Sequence, residues 1–370
     1  MGKHLLGSFE LGHIGQRIRC NVYSMGRNRR IDRPTLQDVA DQAGVSIATA
    51  SRALTGRGQV APATLTRVRG VARTLGYELT EGRELVRTER LALVVAGSAT
   101  LLAGEIIDGV EHVTGDAGCV VATTGGDPAR ELLHLRRMLD DPTISAVIVA
   151  GGRWTSDSYC AELTEVLVAY QSVGKSLVFC GRPQLAGLPT RMVDYDNEGG
   201  ARAAATYLLG QGHRDILFIR GAEGFTTSDA RTSGFRKACA DFGVIVEPAL
   251  VHVGERSRQT GYNAVRQALA ADLQFTAVMG ECDPIAAGAM AALQEAGRRI
   301  PEDCSVIGFD DLRLSEDFRV PLTTVHVPFH DIGHTAAGLA LRPAEPDRDP
   351  RMVAGTHLVV RESTAPRKVS

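Results

Sequence analysis

The residues that first invite a chemical reading are Asp310-Asp311, Gly125-Gly126 and Gly151-Gly152. Adjacent carboxylates can share a proton or hold a metal, and paired glycines can let backbone amides close on a phosphate. Asp310-Asp311 follows an apolar run ending at Phe309, where such residues ordinarily cap the next helix or shape the turn after a strand. Neither glycine pair extends to G-x-x-x-x-G-K or G-x-G-x-x-G, so both read as turns. The 10 histidines form no H-E-x-x-H, and no G-x-S-x-G elbow occurs. The 7 cysteines are scattered, odd in number and without a C-x-x-C pair, which supports neither a disulfide framework nor a zinc site. No enzyme, cofactor or metal chemistry is therefore expected. Arg52 suggests something else. Its guanidinium can bond O6 and N7 of one guanine, worth about 1 to 3 kcal/mol of base discrimination. Ser46, Thr49, Ser51 and Thr55 around it can bond phosphates, which fixes register without reading sequence. Taken alone, Arg52 could equally be a solvated residue on a structural bundle.

The elements around Arg52 narrow that choice. Residues 34–76 read as three short helices with no strand. Thr35 caps the first through Thr35-x-x-Asp38, Leu36, Val39, Ala40 and Ala43 share a side, and Gly44 ends it. Ser46 caps the second, which turns Ala50 and Leu54 inward. Pro62 opens the third, with Leu65, Val68, Ala72 and Leu75 as its stripe and Gly76 as its stop. A helix, a glycine turn and a second helix form a helix-turn-helix, whose second helix enters the major groove by its N-terminal end. Charge agrees. Residues 1–90 hold 15 basic and 8 acidic side chains, a net +7, whereas residues 91–370 hold 26 and 35, a net −9. Such asymmetry joins a module for a polyanion to an acidic body with another task.

That body is long enough, within 370 residues, for two further units, and 44% apolar with 23% charged residues is ordinary for globular chains. Apolar β-rich runs at Leu91–Ala96, Cys119–Thr123, Ala146–Ala150, Ser176–Cys180, Ile216–Arg220, Leu250–Val253, Thr276–Met279 and Ser305–Phe309 alternate with helical stretches such as Ala129–Leu139 and Gly200–Leu209. Repeated βαβ units with parallel sheets follow. About 280 residues of this pattern suit two α/β lobes with a cleft between them, dividing near Asp194–Asn197. No apolar run reaches the roughly 18 residues of a spanning helix. Leu5–Ile14 lacks a continuous apolar stretch, so a secretory leader is not expected and a cytoplasmic location is.

The stretch from Thr35 to Leu54, continuing through Val60 to Tyr77, resembles the signature of the lactose-repressor/galactose-repressor (LacI/GalR) family of bacterial transcription factors. The resemblance implies that Ile47, Ala48 and Arg52 occupy base-reading positions, with Ile47 and Ala48 limited to apolar contacts such as a thymine methyl. It also implies a hinge helix that enters the minor groove and kinks DNA with a leucine wedge. The chain departs from the family there. Tyr77-Glu-Leu-Thr-Glu-Gly82-Arg-Glu-Leu85-Val86 carries a helix-weakening glycine and three glutamates, and Val86 stands at the wedge position beside Leu85. A weaker hinge with less bending is expected. The 34 residues before Thr35 are a further departure. Met25 before Gly26-Arg-Asn-Arg-Arg30 is a candidate start, which would leave residues 1–24 outside the native protein; a basic arm for phosphates is the alternative.

Beyond Leu91 the resemblance covers nearly the whole chain, through Arg231-x-x-Gly-Phe235, Gly254-Glu-Arg-Ser257, Asp283, Pro301 to Asp311, Pro321-Leu-Thr-Thr324 and Val359 to Ser363. It implies a periplasmic-binding-protein-like core of two doubly wound parallel-sheet lobes, with the ligand between them. Arg231, Arg256, Asp283 and Phe329 fall on effector positions, with Arg231 and Asp283 as a structural ion pair as the competing role. Ala150, Cys180 and Ser98-Ala-Thr-Leu-Leu102 replace sugar-gripping features, and Arg256 stands where an aromatic often lies. A plain neutral sugar is accordingly not the expected effector; a sugar derivative or another polar or anionic metabolite is. The implied function is a sequence-specific regulator, with repression the commoner outcome, whose homodimer reads a pseudo-palindromic double-stranded operator without any membrane partner. A periplasmic-type receptor without DNA function is the alternative.

Overall fold

A computed structural model describes residues 35–55, 60–75, 90–96, 101–185, 188, 190–342 and 351–368. They fall into two compact units, one ending with the third helix and one beginning at residue 90.

The first unit holds α1 (Leu36–Ala43), α2 (Ile47–Thr55) and α3 (Pro62–Leu75). Thr35 and Asp38 form the capping box: the Asp38 amide donates to Thr35 Oγ1 at 3.3 Å, and the Thr35 amide donates to Asp38 Oδ2 at 2.6 Å. Gly44 takes φ +64, a left-handed turn that favours a residue without Cβ. The Thr49 amide donates to Ser46 Oγ at 3.2 Å, which fixes the start of α2. Val39, Ala40, Ala43, Ala50, Ala53, Leu54, Val68 and Ala72 make the core. Alanine predominates because three short helices can bury a common centre only by approaching closely. The expected stop Gly76, the hinge residues Leu85 and Val86, and residues 1–33 lie outside the described residues.

The second unit begins with β1 (Arg90–Val95), α4 (Leu101–Thr114), β2 (Cys119–Thr123), α5 (Pro128–Asp140), β3 (Ile144–Ala150), α6 (Asp157–Ser172), β4 (Ser176–Cys180) and β5 (Arg191–Tyr195). The second lobe follows with α7 (Asn197–Gly210), β6 (Ile216–Arg220), α8 (Thr226–Asp241), β7 (Val251–Val253), α9 (Arg258–Ala270), β8 (Ala277–Gly280), α10 (Asp283–Glu295), β9 (Ser305–Ile307) and β10 (Thr324–His326). The chain then returns with α11 (Phe329–Ala340) and β11 (Arg351–Ala354), and β12 (His357–Val359) pairs antiparallel with β10. The two main sheets are parallel, ordered β11-β5-β4-β3-β1-β2 and β7-β6-β8-β9.

Alternation along each strand supplies both faces. Leu91, Leu93, Ala146, Ile148 and Val178 pack with α4 and α11, while Ala92, Val94, Val147, Val149 and Phe179 pack with α5 and α6. In the second lobe Phe218 and Met279 face α7 and α8, and Leu217, Ile219 and Val278 face α9 and α10. The lobes divide at Asp196, between β5 and α7, within the expected Asp194–Asn197. Two further crossings follow, between β10 and α11 and between β11 and β12, so α11 and β11 complete the first lobe from the far end of the chain. The alternation of strands and helices along the sequence carries no sign of that return. Thr356 Oγ1 donates to the Asp196 carbonyl at 3.1 Å, tying two crossings together.

Candidate DNA-reading helix and effector cleft

On α2, Ala50, Ala53 and Leu54 are buried while Ser46, Ile47, Ala48 and Arg52 are exposed, so the helical period itself turns the base-reading candidates outward. Ile47 is 46% exposed. Arg52 Nε donates to the Ala48 carbonyl at 3.1 Å. Thr49 and Ser51 are half-buried at the edge of this face, and the exposed Thr35 caps α1. Thr55 ends the helix.

In the second unit the strand ends of the second lobe gather charge. Arg231 of α8 is fully buried. Its Nη2 pairs with Asp310 Oδ1 at 2.8 Å and donates to the Tyr195 hydroxyl at 3.3 Å; its Nε donates to Asn197 Oδ1 at 2.9 Å, and its Nη1 to the Glu281 carbonyl. The guanidinium lies 3.7 Å from the centre of the Phe309 ring. Arg256, 27% exposed, extends the chain of charges: its Nε is 3.3 Å from Glu281 Oε1 and its Nη2 3.6 Å from Asp310 Oδ2. Glu281 is fully buried; its Oε1 accepts from Ser228 Oγ at 2.8 Å, and its Oε2 has no hydrogen-bond partner among the described residues. Charges therefore alternate from Glu281 through Arg256 and Asp310 to Arg231, and they balance.

The anticipated ion pair between Arg231 and Asp283 does not form; Asp310 takes that place. Asp283 is turned into the lobe, where Oδ2 accepts from the Leu312 amide at 2.8 Å and from Ser315 Oγ at 2.7 Å, and Oδ1 accepts from Thr324. Burial, and then the neighbouring Asp310 charge, push the Asp283 carboxyl up to about 7 against those hydrogen bonds. Phe329 begins α11, is 1% exposed and meets the Tyr195 ring edge-on at 5.6 Å. Asp310 and Asp311 do shape the turn after the strand, at φ +109 and +54, conformations that non-glycine residues rarely adopt. Neither caps the short 3₁₀ turn Arg313–Ser315, whose N-cap position is held by Leu312 without a side-chain hydrogen bond. Asp311 instead bonds His326 Nδ1 at 2.9 Å and Arg361 at 2.7 Å. Sequence reading missed Asp310, Glu281 and Tyr195 as members of this cluster. The signal available was adjacency: Glu281 stands two residues before Asp283, and Tyr195 lies inside the Asp194–Asn197 junction.

In the first lobe one buried arginine is paired with a carboxylate, and the guanidinium of another, Arg153, donates among the described residues only to the Trp154 and Gln184 carbonyls and to Cys160 Sγ. Arg182 is buried, paired with Glu131 at 2.8 Å, and donates to the carbonyls of Gly151 and Gly152. Ala150 and Cys180 are buried, and burial pushes the Cys180 thiol up to about 12, which keeps it protonated. The lobes touch through an antiparallel bridge between Trp154 and Phe225, with the Thr226 amide donating to the Arg153 carbonyl at 2.9 Å and the Thr155 amide to the Gly224 carbonyl at 2.8 Å. No helix among the described residues is long and apolar enough to cross a membrane.

Residues 35–78 match the family described as bacterial regulatory proteins, lacI family, and residues 205–364 match a periplasmic binding protein-like domain. The HTH-type transcriptional regulator CelR of Thermobifida fusca is 33% identical over 352 residues, covering 92% of this chain and all of that protein. The HTH-type transcriptional repressor CytR of Escherichia coli is 32% identical, covering 83% and 89%. Among solved structures, a CelR–cellobiose complex is similar with a TM-score of 0.62 at 30% identity, covering 90% of this chain and all of that one. The fold is also that of a lac repressor dimer bound to operator, with a TM-score of 0.66 at 22% identity, covering 90% and 99%. A helix-turn-helix whose second helix has an exposed face, followed by a two-lobed core, thus has its counterpart along almost the whole of CelR, and the chain belongs to the lacI family of bacterial regulatory proteins, as a DNA-binding transcriptional regulator with an effector domain.

Proposed function

We propose that this regulator is a cytoplasmic homodimeric repressor of a pseudo-palindromic operator. Arg52 reads guanine, Ile47 and Ala48 make apolar base contacts, and Thr35, Ser46, Thr49, Ser51 and Thr55 fix phosphate register. The observation that carries this reading is the division of α2 into a core face and an exposed face holding Ile47, Ala48 and Arg52. Two heads are required because one short helix reads too few bases for useful specificity. The periplasmic-receptor reading is not favoured, since it gives residues 35–75 no task. Genome-wide mapping of bound sites tests the proposal: a two-fold-related motif is expected, and its absence would sink it. In gel shifts on that motif, Arg52→Ala should remove most discrimination and leave salt-sensitive non-specific binding.

The effector, in this reading, is a neutral hydroxyl-rich molecule held between the lobes. Balanced charge within the second-lobe cluster supports it: Arg231 and Arg256 each already have a carboxylate. A relative named for its complex with cellobiose supports the same class. Arg256 meets the ligand, whereas Arg231, Asp283 and Phe329 act from behind, setting Asp310, the turn at 312–315 and Tyr195. Thermal-shift screening of neutral sugars against phosphorylated and acidic metabolites separates the classes. A shift with the anions alone overturns this assignment.

A further inference from the structure

Helices α4 and α11 approach to backbone contact. A Cβ added at Gly109 would stand 2.0 Å from the His330 carbonyl oxygen, and one at Gly333 would stand 2.4 Å from that of Ile106. The two helices therefore form one stiff frame. On its solvent side each carries a pair of metal-binding side chains spaced i, i+4: Asp108 and His112 on α4, His330 and His334 on α11. That spacing stacks two side chains on one helical face. The His112 ring centre is 5.5 Å from that of His334 and 6.0 Å from that of His330, and His330 Nε2 is 3.9 Å from Asp108 Oδ2.

We propose that Asp108, His112, His330 and His334 form a binding site for a divalent transition metal of the zinc class. Imidazole and carboxylate donors suit zinc, and two imidazoles bound at about 2.0 to 2.1 Å in a tetrahedron have ring centres roughly 5 Å apart. The observed separations are within about 1 Å of that. His330 carries a second mark of a ligand: its Nδ1 lies 3.2 Å from Asp331 Oδ1, so a carboxylate orients the ring and leaves Nε2 toward Asp108. As the side chains stand, no three such donors among the described residues are close enough together to hold an ion. The remaining movement is rotation of side chains. His112 and His334 are exposed and Asp108 is 68% exposed, so no core packing opposes it. The frame that must not move is the pair of helices, and that is fixed by glycine contact. An ion here would fasten the start of α11, just after the crossing from the second lobe, to α4.

The test uses the untagged full-length protein with zinc and with cobalt. Expected are uptake of one zinc per chain by calorimetry, a visible d–d band of four-coordinate cobalt, and at least tenfold weaker binding in each of His112→Ala and His334→Ala. His134→Ala, on α5, should leave binding unchanged. Melting curves without metal check that each variant folds; both histidines are exposed, so little change is expected. Absence of the cobalt band, or zinc uptake equal in the wild type and the His112→Ala/His334→Ala double variant, overturns the site.

Discussion

Arg231 owes its position to four acceptors and a ring, and the cost of burying its charge is met mainly by Asp310. Removing one member of a buried pair leaves the other uncompensated, typically about 3 to 5 kcal/mol. Asp310→Ala should accordingly lower stability by roughly 3 kcal/mol in urea unfolding, somewhat less if Arg256 lets Glu281 share the charge, and Arg231→Met/Asp310→Ala should recover part of the loss. A second consequence concerns Asp283. Its folded pKa, raised to about 7, stands above the ordinary carboxylate value of about 3.9, so the folded state holds a proton that the unfolded chain has released. Its contribution to stability is fully present below about pH 4 and is lost as pH rises to about 7. Asp283→Asn should flatten this part of the dependence, seen as a smaller fall in Tm from pH 5 to 7 than in the wild type. Arg231 and Arg256 were legible in the sequence through motif position, but their partners were not. A carboxylate pairs across a sheet with whatever the register brings to it, and sequence spacing between Asp310 and Arg231 carries no such information.

At the level of elements, glycine decides how closely helices pack. Gly109 has no room for a methyl group, since the His330 carbonyl and the His334 amide already occupy its place, whereas nothing lies within 4 Å of a Cβ at Gly104 on the same helix. Gly109→Ala should therefore separate α4 from α11 and cost about 1 to 3 kcal/mol or more. Gly104→Ala should be neutral or stabilising by up to about 1 kcal/mol, from helix propensity alone. Thermal unfolding of the two variants compares identical chemistry in two settings. Most strands were legible for a related reason: a buried parallel strand must be apolar on both faces, as Ser176–Cys180 and Ile216–Arg220 are. The strands that were not legible depart from this rule. Arg191–Tyr195 carries Arg191 and Asp194, the edge strand Arg351–Ala354 is largely exposed, and Thr324–His326 and His357–Val359 have only three residues each.

For the whole molecule, regulation requires that a ligand bind one closure state of the lobes better than another, and by linkage its effect on operator affinity equals the operator's effect on its own. The fold supplies an internal reporter of that closure. Trp154 is the single tryptophan of the 370 residues, and it sits where the lobes meet, its ring 5.4 Å from that of Phe225 and its Nε1 donating to the Gly126 carbonyl at 3.2 Å. Opening the lobes would break the bridge between residues 153–155 and 224–226 and expose this indole to water. Titration with an effector that favours closure should shift Trp154 emission to shorter wavelength, saturating with the same dissociation constant as calorimetry gives. Phe225→Ala, which removes the ring partner and weakens the bridge, should lower effector affinity and shrink the emission change together. If effector alters operator affinity while Trp154 emission stays constant, closure between these segments is not the transmitted motion, and the signal must pass through the crossings at residues 196, 327–328 and 355–356 instead.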